Sequence, residues 1–239
     1  MSLGPRDRLI VALDVPGLAE AERVIEPLAG VVSTFKVGSQ LFTAAGPGAV
    51  ELVRKRGGRV FLDLKYHDIP AQVAGAVREA ARLGVTLLTV HASGGTAMLR
   101  AAAEAAAAGG HDRPRVLAVT VLTSLDRATL HRELQTPVAV EGQVVHFAGL
   151  ARDAGCDGVV AAPREAARLR AMLGRNWLIV TPGIRPAGAA AGDQVRVATP
   201  AVACRAGADY LVVGRPITGA ADPAAAAAAI ITEIEGAGR

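Results

Sequence analysis

Residues 59–92 read RVFLDLKYHDIPAQVAGAVREAARLGVTLLTVHA and contain a complete strand–helix–strand unit. The runs RVFLDLK (59–65) and LLTVHA (87–92) are short and largely apolar, a composition typical of strands buried on both faces. The Ala-rich segment 71–83 between them is predicted to be helical. Strands joined through a helix run parallel in one sheet, so this unit indicates an α/β fold.

The same alternation continues in both directions along the chain. The strand-like runs are LIVALDV (9–15), TFKVG (34–38), RVFLDLK (59–65), LLTVHA (87–92), VLAVTVL (116–122), GVVAA (158–162), WLIVTPG (177–183) and YLVVGR (210–215). The helical candidates lie near residues 17–29, 40–56, 71–83, 94–108, 142–155, 163–173, 193–206 and 222–235. Eight strand–helix units close a (β/α)8 barrel, and no linker divides the chain. We therefore predict a single TIM-barrel domain over residues 1–239.

The turns between these elements carry local signals of their own. RLGVT, DAGCDG and RAGADY each place a glycine where a helix ends and a strand begins, a position that favours positive φ. Near the end of the chain, Asp222 and Pro223 are predicted to be the N-cap and first residue of an Ala-rich helix.

The composition is that of a globular protein and argues against nucleic acid or a membrane as partner. Hydrophobic residues make up 51% of the 239 residues, and charged residues 20%. The net charge of +4 comes from scattered arginines, and only four Phe, two Tyr and one Trp are present, which favours a small anionic ligand. No long apolar segment or signal-peptide pattern occurs, so we expect a cytoplasmic protein. Cys156 and Cys204 lack metal-ligand spacing and are predicted to pack at helix ends.

Lysine is scarce in this chain. Of the 26 basic residues only Lys36, Lys55 and Lys65 are lysine. Lysine can give up its proton in a protein, whereas arginine cannot, so a retained lysine is a candidate for proton chemistry. Lys55 lies in the basic run RKRGGR and is equally well explained as a surface residue.

Polar residues follow the apolar strand runs, at the end of a barrel where active sites lie. These strand ends carry Asp14, Lys36, Asp63, Lys65, His91, Thr123, Pro182 with Gly183, and Gly214 with Arg215. The charged residues Asp14, Lys36, Asp63 and Lys65 could form ion pairs whose only role is to stabilise the fold. Buried ion pairs often do no better than apolar replacements, so we favour a functional site.

The segment VFLDLKYHDIP (60–70) has the highest density of such residues. Asp63 and Lys65 are two apart on a strand and therefore project to the same side, into the barrel mouth. Asp68 lies past the strand end, where its carboxylate could turn back or reach a neighbouring subunit. An ammonium held between carboxylates suits a proton donor to carbon.

Two further segments are typical of a phosphate site. VVGRPIT (212–218) and TPGIRP (181–186) each combine a glycine with an arginine, Arg215 and Arg185, after the eighth and seventh strands. Phosphate sites in these barrels usually lie there. Either segment taken alone could instead be an ordinary turn that contains a glycine and a surface arginine without binding phosphate.

The histidines are ambiguous. His91, at the end of the fourth strand, and His67 could act as a base or a metal ligand. No second ligand stands at suitable spacing, so a hydrogen-bonded structural histidine is the favoured interpretation, and no metal site is predicted.

Taken in order, the segments ALDV, FKVGSQLF, FLDLKYHDIP, VTVLTSLD, TPGIRP, GDQVRVATP and VVGRPIT resemble the orotidine 5′-phosphate decarboxylase family over essentially the whole chain. The resemblance implies a (β/α)8 barrel that acts on orotidine 5′-monophosphate without a cofactor. It also implies a homodimer in which the open ends of the two barrels face each other and share active sites.

The resemblance also assigns roles to individual residues. It implies that Lys65 is the general acid, that Asp63 lies beside the scissile carboxyl group, and that Lys36 and Asp14 contact the ribose hydroxyls. Asp68 and Ile69 are expected in the partner subunit's active site, with Lys36, Asp63, Lys65 and Asp68 as the catalytic group. The remaining substrate contacts are Thr123 and Ser124, with Ser124 at the pyrimidine, and the phosphate-binding residues Arg185, Gln194, Gly214 and Arg215.

One position departs from the family pattern, and two other functions stay open. Ala71-Gln72 follows HDIP, where the family often has Asn-Thr or Ala-Thr, so Gln72 is given no role. A related sugar-phosphate barrel enzyme, such as a hexulose-phosphate synthase or a keto-gulonate-phosphate decarboxylase, would use a divalent metal and an enediolate. A catalytically silent phosphate-binding or scaffold barrel would bind nucleotide without turnover.

Overall fold

The computed structural model describes residues 3–186 and 197–237, and within them the chain forms a closed barrel of eight parallel strands. The strands are β1 Leu9–Ala12, β2 Thr34–Gly38, β3 Arg59–Tyr66, β4 Leu87–His91, β5 Arg115–Val119, β6 Gly158–Val160, β7 Leu178–Thr181 and β8 Tyr210–Val213. Each strand pairs with the next in sequence, and β1 closes the ring by pairing with β8, Ile10 lying opposite Val212. The predicted TIM barrel is thereby confirmed.

Helices follow the strands around the outside. They are α1 Pro5–Arg8, α2 Leu18–Leu28, α3 Ser39–Ala45, α4 Gly48–Lys55, α5 Pro70–Arg82, α6 Gly95–Ala107, α7 Arg127–Arg132, α8 Val140–Asp153, α9 Pro163–Leu173, α10 Pro200–Arg205, α11 Arg215–Thr218 and α12 Pro223–Gly236. Short 3₁₀ turns occupy Ala92–Gly94 and Gly110–Asp112. None of the helices in the described ranges is long and apolar enough to cross a membrane.

Two helix predictions need correction. The single helix predicted over 40–56 is two helices, α3 and α4. Gly46 ends α3 with φ +55°, and Pro47, which cannot donate a backbone hydrogen bond, precedes α4. The first residues of the helix predicted over 193–206 lie outside the described part of the chain. Within the described part, α10 starts at Pro200 and is capped by the Thr199 hydroxyl.

Side chains alternate between the barrel interior and the helix layer. The interior is filled by an apolar cluster made of Ile10, Ala12, Phe61, Leu87, Leu117, Val180 and Val212, with Val160, Leu178 and Tyr210 packed against it. The intervening residues, such as Val11 and Leu62, face the helices and belong to the larger outer core. Because the period along a strand is two, Asp63 and Lys36 lie on the interior face near the carboxyl ends of their strands.

The opposite end of the barrel is held by two similar ion pairs. Arg113 donates two hydrogen bonds to the Asp157 carboxylate, at 2.6 and 2.8 Å, and Asp157 also accepts from the backbone N–H of Val116 at 2.9 Å. Arg170 donates one hydrogen bond to Asp209 Oδ2 at 2.6 Å, and the same oxygen accepts from the backbone N–H of Ile179 at 2.7 Å. Each aspartate follows a turn glycine with positive φ and precedes a strand, so these turns support the strand starts.

Candidate active site

Four charged side chains form a continuous chain at the carboxyl ends of β1, β2 and β3. Lys36 Nζ lies 2.8 Å from Asp14 Oδ1 and 3.6 Å from Asp63 Oδ2. Lys65 Nζ donates to the other Asp63 oxygen, Oδ1, at 3.0 Å. The predicted alternation of two carboxylates with two ammonium groups is therefore present in the folded chain.

These four side chains differ in their exposure to solvent. Asp63 and Lys36 are nearly buried, with 13% and 11% of their side chains exposed, whereas Lys65 is 37% exposed. Asp63 thus lies between two cations below the opening, and the Lys65 ammonium points toward the space that a ligand would enter. Asp14, more than half exposed, lies at the rim.

The backbone at Lys65 is unusual. Lys65 has φ +51°, a left-handed conformation that is uncommon for residues other than glycine. The β3–β4 ladder shifts register between Leu62 and Tyr66, so the strand is irregular where the lysine stands. Such local strain clusters at functional sites and persists only where surrounding contacts hold it in place.

The charged chain borders a cavity of about 460 Å³ at the barrel mouth. Apolar residues from β5, β6 and β8 line part of it, including Val119, Val160 and Val212. The lining residues that matter for polar recognition are Asp14, Lys36, Asp63, Lys65, Thr123, Pro182, Gly183, Arg185, Gly214, Arg215 and Thr218. The cavity is therefore polar at its rim and apolar on part of its wall, a combination typical of small-molecule sites.

Two arginines lie together at the β7 and β8 side of this cavity. Arg185 is almost completely buried and donates through Nη1 to the Ile184 carbonyl at 2.9 Å. Burial, together with the positive charge of Arg215, lowers the pKa of Arg185 below its usual value. Two neighbouring guanidinium groups with this mutual repulsion are suited to bind an anion, and their role in binding a phosphate stays a prediction.

Some of the predicted site residues do not line the cavity. The Asp68 carboxylate is exposed and accepts from the backbone N–H of Ile69 at 2.6 Å, and Ile69 is 63% exposed. Ser124 is also exposed and absent from the lining. Gln194 lies outside the described residues. The roles assigned to these four residues stay predictions.

The two ambiguous histidines stack on each other with ring centroids 5.4 Å apart. His91 Nδ1 accepts from the Ser93 backbone N–H and lies 2.7 Å from the Ser93 hydroxyl oxygen, so it caps the turn after β4. Burial lowers the pKa of His91, and His67 and Lys65 add to the shift, which favours a neutral ring. Within residues 3–186 and 197–237, no three His, Cys, Asp or Glu side chains are placed to hold a metal ion.

Two residues that the sequence did not single out also contribute to the site. Gly38, two positions after Lys36 on β2, lies against the Lys36–Asp14 pair. Thr89 on β4 contacts both Asp63 and the backbone of Lys65. A glycine or threonine in a strand carries no signal by itself, so only the alternation of interior residues along β2 and β4 could have suggested them.

Comparison with known proteins agrees with this geometry. The family model "Orotidine 5′-phosphate decarboxylase / HUMPS family" matches residues 7–230. Orotidine 5′-phosphate decarboxylase of Moorella thermoacetica is 58% identical over 234 residues, covering 96% of this chain and 93% of that protein. The enzyme of that name from Halorhodospira halophila is 56% identical and covers both chains completely.

Structural comparison gives the same result. The crystal structure of orotidine 5′-phosphate decarboxylase from Lactobacillus acidophilus superimposes with a TM-score of 0.85 at 39% identity, covering 95% of this chain and 99% of that one. An uncharacterized conserved protein from Geobacillus kaustophilus has a TM-score of 0.84 at 41% identity and similar coverage. Both the sequence and the barrel with its charged mouth therefore assign this chain to the orotidine 5′-phosphate decarboxylase / HUMPS family.

Proposed function

We propose that this chain decarboxylates orotidine 5′-monophosphate to UMP and CO₂ in pyrimidine biosynthesis, with Lys65 as the proton donor to C6. One observation carries the proposal. The Lys65 ammonium, anchored 3.0 Å from the nearly buried Asp63, faces the same cavity as Arg185 and Arg215. Arg185 follows β7, four strands from β3 in the closed ring of eight, and Arg215 follows β8, three strands away, so both arginines lie across the cavity from the proton donor.

The reaction demands a cation at C6. When the bond between C6 and the carboxylate breaks, CO₂ leaves and the electron pair stays on C6, in the ring plane. A positioned ammonium stabilises that charge electrostatically and then transfers one of its protons to C6, after which solvent returns a proton to the amine. Lys65 supplies both effects, so we propose a reaction that needs no metal or organic cofactor.

The second part of the proposal concerns binding. Arg185 and Arg215, with Gly214 and Gln194, would hold the 5′-phosphate, and Lys36 and Asp14 the ribose hydroxyls. Thr123 and Ser124 would contact the substrate, with Ser124 at the pyrimidine. Binding energy from the remote phosphate can then be used to hold the scissile carboxylate beside Asp63 and Lys65.

We further propose that the whole chain, residues 1–239, is one catalytic domain that works as a homodimer. Asp68 and Ile69 are exposed, and they lie only three and four residues after Lys65. Ile69 is one of the few large apolar side chains exposed in the described part of the chain. Both features support a role for this segment in the active site of the partner subunit.

Loss of orotidine 5′-monophosphate absorbance, measured with excess chelator present, tests the function directly. A metal-dependent sugar-phosphate enzyme would show no such activity, and a silent barrel would bind UMP without turnover. Activity in chelator-treated wild type is the expected result; its absence in protein that binds UMP would overturn the proposal.

The role of Lys65 is tested by two substitutions. Lys65→Ala removes the ammonium and should abolish turnover, while UMP binding persists because the phosphate contacts remain. Lys65→Arg keeps a positive charge but substitutes a very weak acid, so its kcat should fall to less than about a tenth of the wild-type value. A Lys65→Arg enzyme with more than that activity would contradict the assignment of Lys65 as proton donor. Lys55→Arg, an exchange at an exposed lysine on α4, is the matched control and should leave kcat unchanged.

A further inference from the structure

We propose that Thr89 is a positioning residue for the reaction, and that its single hydroxyl group fixes Asp63 and Lys65 relative to each other. The inference rests on the proposed function, because it concerns the orientation of the proton donor. Thr89 does not line the cavity; it would act through the two residues that do.

The contacts of Thr89 use its hydroxyl completely. Thr89 is fully buried on β4, with its side chain on the interior face, and its hydroxyl donates to Asp63 Oδ1 at 3.0 Å. The same oxygen accepts from the backbone N–H of Lys65 at 2.9 Å. A hydroxyl has one proton to donate, and here that proton goes to the carboxylate.

The contact with the lysine backbone replaces a missing strand contact. In a regular parallel ladder the Lys65 N–H would find a carbonyl on a neighbouring strand. The register shift between Leu62 and Tyr66, together with φ +51° at Lys65, interrupts the ladder at this point. Left-handed geometry at a residue other than glycine persists only where its surroundings hold it, and the Thr89 oxygen is the acceptor for this N–H.

The consequence is a closed ring of contacts. Lys65 donates from its backbone to Thr89, Thr89 donates to Asp63 Oδ1, and the same Oδ1 accepts from Lys65 Nζ at 3.0 Å. Both ends of Lys65 are thus tied, through one hydroxyl, to one carboxylate oxygen. Removing the hydroxyl leaves the carboxylate held only by the Lys36 and Lys65 ammonium groups and deprives the strained backbone of its acceptor, so the ammonium of Lys65 is held less precisely.

Thr89→Val tests this with little change in shape, because valine replaces the hydroxyl by a methyl group. We expect kcat to fall at least about tenfold, since small misplacements of a reacting group have large effects. KM and the dissociation constant of UMP should stay within about threefold, since the phosphate and ribose contacts are untouched. Thr89→Ser restores the hydroxyl and should keep at least about half of the wild-type kcat.

Thr181→Val is the matched control. Thr181 is also fully buried at a strand end, and its hydroxyl has no hydrogen-bond partner within the described part of the chain. The same exchange there should leave kcat within about twofold, as expected for a change away from the ring of contacts. A Thr89→Val enzyme with wild-type kcat, or a Thr89→Ser enzyme as impaired as Thr89→Val, would overturn the proposal.

A second measurement does not depend on activity. Because the chain has only three lysines, ¹⁵N-lysine labelling gives three backbone amide signals, and the one lost in Lys65→Arg belongs to Lys65. In the wild type this amide should exchange slowly with solvent; Thr89→Val should shift its signal and speed its exchange, whereas Thr89→Ser should do neither.

The two measurements separate the possible failures. Fast exchange of the Lys65 amide in the wild type would overturn the proposal even if Thr89→Val did not fold. If wild-type protein failed to decarboxylate orotidine 5′-monophosphate, the proposed function would be wrong. The exchange data would still decide whether Thr89 holds Lys65.

Discussion

At the scale of single residues, the space beside Gly38 limits the position of Lys36. A Cβ atom added at Gly38 would lie 2.9 Å from Lys36 Nζ and 3.1 Å from Asp14 Oδ1. The first distance is shorter than a carbon–nitrogen contact allows, so the flexible ammonium would have to move away from Asp14. Gly38 has ordinary extended backbone, so alanine is compatible with the strand itself.

We therefore predict that Gly38→Ala impairs substrate handling much more than stability. KM for orotidine 5′-monophosphate should rise at least about fivefold, which corresponds to about 1 kcal/mol of lost binding. The midpoint of urea unfolding should change little, because only the end of a flexible side chain is displaced. Steady-state kinetics and urea titration measure the two quantities.

Gly149→Ala is the control for that experiment. Gly149 lies inside α8, and a Cβ atom there would meet nothing within 4 Å. Alanine should leave KM unchanged and stabilise the helix by up to about 1 kcal/mol. If Gly38→Ala had the kinetics of the wild type, the packing of Gly38 against the Lys36–Asp14 pair would have no functional importance.

Some residues of the candidate site could be predicted from the sequence, and others could not. Asp14, Lys36, Asp63 and Lys65 could be predicted because each lies in or directly after an apolar strand run, and strand alternation predicts which way such residues project. The importance of Thr89 depends on a break in strand register, which no local pattern in the sequence reveals. Asp68 and Ile69 were predicted to act in a partner subunit. Both are exposed in the single chain, so its structure does not test that prediction.

At the scale of elements, the barrel strands were more predictable than the helices. All eight strand runs occur in the structure, because continuous apolar runs are required to fill both the interior and the helix layer. Six of the eight runs were predicted to end one to three residues too late; β1, for example, ends at Ala12 rather than at residue 15, whereas β2 ends as predicted and β3 continues one residue further, to Tyr66. Some residues just beyond the last hydrogen-bonded pair of a strand are also apolar, such as Leu13 after β1 and Val121 after β5. The end of an apolar run therefore does not mark the residue at which strand pairing stops.

The helices depend more on single residues. Gly46 and Pro47 divide the segment 40–56, although its apolar spacing continues across the break. The helices α7, after β5, and α11, after β8, are only six and four residues long. Helices of this length are too short for a periodic apolar pattern to be recognised in the sequence. In contrast, Asp222 and Pro223 begin α12 as predicted, because a cap is a local interaction.

The turn between α8 and β6 leads to a prediction about stability. Asp157 is almost buried, pairs with Arg113, and accepts from the Val116 N–H at the start of β5. Asp157→Ala removes these contacts, together with a longer one from Arg115 Nη1 at 3.4 Å, and leaves a backbone donor unsatisfied, so the free energy of unfolding should fall by about 1–3 kcal/mol. Activity of the folded protein at 25 °C should be unchanged, since this turn lies at the end of the barrel opposite the cavity.

Urea unfolding monitored by circular dichroism measures this effect. Asp153→Ala is the control, because Asp153 is exposed and, among the residues that the structure describes, forms an ion pair only with its neighbour Arg152. An exposed ion pair contributes little, so that variant should stay within about 0.5 kcal/mol of the wild type. Equal losses in the two variants would mean that the contacts of Asp157 are not what stabilises the start of β5.

At the scale of the whole molecule, the eight strands close the barrel completely, whereas the proposed active site would take Asp68 and Ile69 from a second subunit. Every strand except β4, or the segment directly after it, contributes residues to the cavity at the barrel mouth. The exposed segment with Asp68 and Ile69 begins two residues after β3 ends at Tyr66, where Pro70 starts α5. Proline disfavours helical conformation at the preceding residue, and Ile69 is extended with ψ 151°, so α5 begins only at Pro70 and leaves Asp68 and Ile69 in an exposed connection.

The shared site can be tested by mixing two inactive proteins. Homodimers of Lys65→Ala and of Asp68→Ala should each be nearly inactive, because every site lacks one required group. If Asp68 serves the partner subunit, a mixed dimer has one site with both defects and one intact site. In an equal mixture with free subunit exchange, half of the dimers are mixed, so activity should recover to about a quarter of the wild-type value.

The opposite result has an equally clear meaning. If Asp68 acts within its own barrel, both sites of every mixed dimer keep one defect, and mixing restores nothing. Mass spectrometry of isotopically distinguished subunits establishes whether exchange has occurred. Exchange without recovered activity would assign Asp68 to its own chain, and the exposed Ile69 would then need another explanation. Recovery near a quarter requires instead that Lys65 of one subunit and Asp68 of the other complete the same cavity.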